Sequence, residues 1–142
     1  MPNFVDALAD NRIAVIDAVE AGADAIDELN TPVVGPTSYD SITYPYAEVL
    51  PESIDYQSGN EYAHTVRLNC YFERERDVDY TLQLATALDA ASEAVTCLSD
   101  VDCVVSYRPQ LVEDFAGELD NTLLVLISVQ LRVTTLVDLA ES

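Results

Sequence analysis

Apolar side chains recur along this chain at two periods, and the switches between them mark out its elements. Phe4, Val5, Leu8, Ile13, Ile16, Val19, Ile26 and Leu29 are spaced mostly by three and four, the period of one helix face. The spacing predicts a helix over 2–29. Pro2 is tolerated in its first turn, Gly22 is a weak point or kink, and the residue before Pro32 ends it. Residues 31–41 carry Pro32, Gly35 and Pro36 and read as a linker. Residues 42–50 are rich in Tyr and β-branched residues and predict a first strand, with Pro45 marking it as an edge or a bulge. Residues 51–60 read as a polar loop.

The clearest period of two follows, over 62–73. His64, Val66, Leu68, Cys70 and Phe72 alternate with Thr65, Arg67, Asn69, Tyr71 and Glu73, so the first set should face a core. Asp77 or Asp79 can cap a second helix over 78–98, with Tyr80, Leu84, Leu88, Ala91, Val95 and Leu98 as its apolar stripe. Ala87 and Ala94 would let it pack closely. Residues 102–108 predict a third strand, 109–121 a polar loop with Gly117, and 122–137 a long last strand. In that strand Leu123, Val125, Ile127, Val129, Leu131 and Val133 alternate, while Leu124 and Leu126 imply partial cover on its second face. The order α-β-β-α-β-β predicts an α+β fold in two layers, a mainly antiparallel four-stranded sheet with two helices. Residues 1–142 read as one domain with extended loops at 31–41, 51–61 and 109–121.

Charge changes the picture next. The 142 residues hold 26 Asp and Glu against 6 Arg and no Lys, a formal net charge of −20, yet 49 % are hydrophobic. A disordered acidic tail would be poorer in apolar residues. A grip on nucleic-acid phosphate or a basic membrane-binding face would need the opposite sign. So large an excess of one charge destabilises a compact state, and at 1 M salt the Debye length of about 3 Å removes most of that repulsion. The lysine-free acidic composition resembles that of haloarchaeal proteins and predicts a need for molar salt; an ordinary acidic mesophile protein is the alternative. No secretory leader pattern and no run of apolar residues long enough to span a membrane is visible, so the expectation is a protein made in the cytoplasm.

Candidate chemistry is sparse. Four scattered glycines make no phosphate-cradling loop, and one histidine among core-facing residues reads as a strand residue rather than a base. Cys70, Cys97 and Cys103 form no framework, although Cys97 and Cys103 bracket a short connection where one bridge would fit. Glu73, Glu75, Asp77 and Asp79 are of the type that holds a hard cation, but Arg74 and Arg76 interleave them and a solvated helix start explains them as well. In so acidic a chain paired carboxylates carry no information. The expectation is no enzyme, no cofactor and no metal.

The scarce residues are more informative. Eight of eleven aromatics are Tyr, and Tyr39, Tyr44, Tyr46, Tyr56 and Tyr62 cluster around the linker and the first hairpin. They suit an interface or simply cover the sheet. Six arginines in a sea of carboxylates should form bidentate pairs within or between subunits. Tyr44, Tyr46, Arg67, Arg74, Arg76 and Arg108 are the expected interface contributors.

The stretch Ile42-Thr43-Tyr44-Pro45-Tyr46-Ala47-Glu48-Val49-Leu50-Pro51 follows an amphipathic helix and leads to the long alternating strand. In this layout the chain resembles the tail terminator, or tail-completion, family of neck proteins of tailed viruses over nearly its whole length. The resemblance implies a homo-oligomeric ring, usually hexameric, that ends the tail tube and docks it to the head–tail connector protein. With the composition, it implies the virion neck of a haloarchaeal tailed virus, assembled in the host cytoplasm at high salt. DNA would pass an acidic lumen without specific binding, and the family has no catalytic residues to carry over. A head–tail adaptor or other neck protein, a halophilic cytoplasmic ligand-binding module, and a metal enzyme built on Asp77 and Asp79 are the alternatives.

Overall fold

A computed structural model of the chain describes residues 3–29, 32–35, 45–73, 80–119 and 122–137. Helix α1 (Phe4–Asp24) opens on Asn3, whose Oδ1 accepts the Asp6 amide at 2.8 Å. That contact satisfies one of the orphan N–H groups of the first turn. The helix ends five residues before the expected point. The Ala25 amide is shared between the Ala21 and Gly22 carbonyls, and tighter turns carry the chain through Ile26 to Leu29, both still buried. Apolar periodicity thus outruns the helix because the turns bury the same side of the chain.

Strand β1 (Val33–Val34) is followed by β2 (Tyr46–Ser58), β3 (Glu61–Glu73), helix α2 (Tyr80–Ser99), β4 (Val104–Leu119) and β5 (Thr122–Leu136). The fold is α+β in the order α-β-β-α-β-β, with four long antiparallel strands and the two-residue β1 added in parallel outside β2. Strands lie side by side as β1-β2-β3-β5-β4. Both helices cover one face of this sheet.

Two loops expected from the sequence are strand instead. β2 runs through residues 51–58, leaving only Gly59 and Asn60 as the hairpin turn, with Gly59 at φ +55°. A primed two-residue turn of this kind needs positive φ, which glycine supplies freely. β4 likewise runs unbroken through 109–119. Pro51 and Pro109 suggested loops, but edge strands tolerate proline, and the outer flanks of β2 and β4 are edges. Each edge strand is also bulged: β2 at Pro51/Ser53 and Tyr56/Ser58, β4 at Val104/Ser106 and Leu111/Glu113. Of the first expected loop, 31–41, residues 33–34 form β1, while 31 and 36–41 lie outside the described residues.

The core lies between helices and sheet. Val66, Leu68, Cys70 and Phe72 of β3 meet Val125, Ile127, Val129, Leu131 and Val133 of β5, as the alternation predicts. Each fully buried Leu or Ile among them contributes about 1.5–3 kcal/mol by leaving water. Helix α2 presents Ala87, Ala90, Ala91, Ala94 and Leu98 inward, while Leu88, expected in the stripe, is exposed. The small residues set the helix spacing. Gly22 is a contact point rather than a kink, because a Cβ there would collide with the backbone of Ala94.

Candidate assembly surface

The face of the sheet away from the helices divides into two ends. At one end side chains are buried. Tyr46 stacks on its cross-strand partner Tyr71, with ring centroids 4.7 Å apart and planes 7° from parallel. In the next row Glu48, Asn69 and Ser128 face each other across β2, β3 and β5. Asn69 Nδ2 donates to Glu48 Oε1 at 3.0 Å, and Ser128 Oγ donates to Asn69 Oδ1 at 2.6 Å. A buried carboxylate is tolerable only when hydrogen-bonded, and this chain of donors meets the need. Gly35 lets the backbone pass close to Glu48, since a Cβ there would fall 2.6 Å from its Oε2.

At the other end the rows are polar and open. Arg67 stands opposite Gln130, and Arg132 stands between Thr65 and Arg108. Three of the six arginines therefore occupy neighbouring positions on one face. Arg67 Nε bonds Glu52 Oε1 at 3.0 Å across the bulge in β2. Arg108 and Arg132 are exposed, lie directly opposite each other on β4 and β5, and make no ion pair among the described residues. Like charges directly opposite in an antiparallel pair are destabilising.

Of the expected interface residues, Arg67 and Arg108 thus fall on one surface. Tyr46 does not join them: it is 3 % exposed and covers the sheet. Tyr44, Arg74 and Arg76 lie outside the described residues, as do Asp77 and Asp79. Arg132 was missed by sequence reasoning. Its scarcity was visible, but its place beside Arg108 depends on strand register. At the β2–β3 turn Tyr56 is 62 % exposed and sits edge-on to Tyr62, 5.5 Å between centroids, and Phe4 tilts against Tyr62 at 5.4 Å.

A second charged feature lies at the opposite side of the molecule. Asp17, Glu20 and Asp24, on one face of α1, line a groove of about 350 Å³ with Ala21 and Pro32. Pro32 leads directly into β1, the strand at the far end of the sheet from β4. Asp24 stands in the last turn of α1, where the helix dipole disfavours negative charge and no basic residue balances it; Glu20 one turn before it adds like charge on the same face.

No protein-family model matches the chain, and no curated protein does. Among solved structures, it is similar to a chain in the virion of a native gene transfer agent particle, with a TM-score of 0.49 and 14 % identity, over 88 % of this chain and 93 % of that one.

His64 is buried on the core face, with Nε2 2.8 Å from Thr135 Oγ1, which also takes a bond from Asn11 Nδ2 at 3.3 Å. Among the described residues its Nδ1 has no partner, so a proton added there would find no acceptor among them. Burial, and secondarily the Arg12 charge, hold its pKa below the ordinary value. The three cysteines are free, so the bridge between Cys97 and Cys103 is not formed. Burial pushes the Cys70 thiol up to about 12, and burial with nearby carboxylates raises the other two. None is poised as a nucleophile. Among the described residues no His, Cys, Asp and Glu cluster suits a metal ion, and no helix is long and apolar enough to cross a membrane.

Proposed function

We propose that the chain is a structural subunit of a tailed virus particle and, within it, the tail terminator: a hexameric ring that ends the tail tube and joins it to the head connector. The observation that carries this reading is the exposed Arg108–Arg132 pair at the sheet edge. Two arginines of six, set side by side in a chain of charge −20, cost stability in the isolated subunit. They gain it back against carboxylates supplied by a neighbour. The neck-protein layout of the elements supports the ring assignment, and the lysine-free acidity supports a haloarchaeal host.

In this reading the protein does no chemistry and holds no cofactor. It is assembled in the host cytoplasm at high salt and ends in the virion neck, where an acidic lumen lets DNA pass without being gripped. A ligand-binding module is less well supported, because such sites are mostly apolar and the groove beside α1 is lined by carboxylates.

Light scattering of the purified protein in about 3 M salt tests the reading, since screening there is nearly complete. The expected mass is that of a ring of about six chains, with retention on purified tail-tube protein. A monomer at every concentration would remove the ring, and retention on the connector alone would favour a head–tail adaptor. Circular dichroism should show folding lost on dilution to about 0.1 M salt; equal stability at both salts would remove the halophilic part.

A further inference from the structure

The ring reading leaves open which surfaces of neighbouring copies meet. Two kinds of contact are available at the sheet edge. Strand addition would extend the sheet along the outer flank of β4. The edges are built against that. β2 and β4 each carry a proline and two bulges, the devices that block strand addition. Recognition at this edge therefore falls to side chains, and Arg108 and Arg132 make no ion pair among the described residues.

The complementary charge is on the same molecule, at the other lateral end. Asp17, Glu20 and Asp24 line their groove beside Pro32 and β1, while Arg108 lies on β4 and Arg132 on β5 next to it. Helix α1 lies over β2 and β3 and α2 over β4 and β5, so the acidic groove and the arginine pair cannot meet within one chain. They are placed to meet between two. Contacts between different patches of identical chains close into rings when the rotation allows.

We propose that Arg108 and Arg132 of one copy seat against the Asp17, Glu20 and Asp24 groove of the next, and that this contact repeats around the ring. It rests on the ring reading above and names the surfaces that close it. Both features carry an unfavourable term in the lone subunit: arginine faces arginine, and three carboxylates crowd one helix face with Asp24 at the negative end of its dipole. One contact relieves both. Guanidinium groups suit it because they bond carboxylates in bidentate fashion, which outlasts the screening that molar salt imposes on bare charge.

The test uses two full-length variants in the lowest salt at which the wild type stays folded. The first is Arg108→Glu with Arg132→Glu; the second is Asp17→Arg with Asp24→Arg. All four positions are exposed, and circular dichroism checks that each variant folds. Each variant alone sets like charge against like and should scatter light as a monomer. An equimolar mixture brings every reversed patch against its opposite and should restore the wild-type mass in alternating rings. Variants that assemble as fully as wild type would overturn the proposal while leaving the ring intact. Monomeric variants that fail to assemble on mixing would overturn the pairing of these two patches. A wild type that is itself monomeric would overturn the ring, and the proposal with it.

Discussion

The two ends of the helix-free face share strands and register but solve opposite problems. Around Glu48, Asn69 and Ser128 the polar groups are buried and answer one another in a closed chain of hydrogen bonds. Around Arg108 and Arg132 they are exposed and make no ion pair among the described residues. One end is finished within the subunit; the other leaves its charges at the surface, where the proposed ring would supply their counterparts. A polar row in a sheet is thus not informative by itself. What separates structure from recognition is whether the row's donors and acceptors balance.

The sharpest way to break the comparison is to unbalance the finished end. Asn69→Leu removes the donor to Glu48 and the acceptor for Ser128, leaving both buried. The expected loss is about 2–3 kcal/mol, read as a lower urea midpoint at unchanged slope in molar salt. An unchanged midpoint would mean that the row is not a stabilising network.

His64 offers a middle-sized test, since it is a buried polar group on the other face with one nitrogen unanswered among the described residues. Its folded pKa lies below its unfolded value, so the unfolded chain takes up the proton first. Its contribution is therefore complete above about pH 6.5 and is lost as pH falls from there toward the folded pKa. His64→Gln should flatten that slope, as seen in urea midpoints between about pH 7 and pH 5.5. A slope that survives the substitution belongs to other groups.

The smallest effect has the opposite sign. Arg132→Thr relieves the like-charge pair and should stabilise the lone subunit by about 0.5 kcal/mol while weakening assembly. A destabilised subunit would show that Arg132 is already answered within the chain, and the contrast between the two ends would vanish.

Much of this fold is readable from residue order, for a reason seen in β3 and β5. Both are central strands with one face on the core, and burial on one side imposes a period of two. The outer parts of β2 and β4 lack that pressure. Residues 52–58 and 109–111 are mostly exposed, so polar residues and Pro109 are permitted there, and both stretches look like loops. In α2 Leu88 fits a helical stripe as well as Ala90 does, and only the close approach of α1 at Gly22 favours the smaller residue. The arginine pair was half legible. Arg108 is conspicuous in so acidic a chain, but its neighbour Arg132 is 24 positions away and becomes one only through the β4–β5 register. The acidic groove gives no signal in a sequence where carboxylates are everywhere.

The separation of opposite charges to the two ends of the sheet also sets the kinetics of meeting. In dilute salt two copies of net charge −20 would repel each other before their opposite patches could orient them, slowing encounter. In molar salt the field dies within about 3 Å, so copies collide unsteered, at the 10⁵–10⁶ M⁻¹s⁻¹ typical of neutral surfaces. The arginines then act only after touch. Their signature is the lifetime of the contact, and a change at either patch should appear in how fast neighbours part while leaving untouched how fast they find each other.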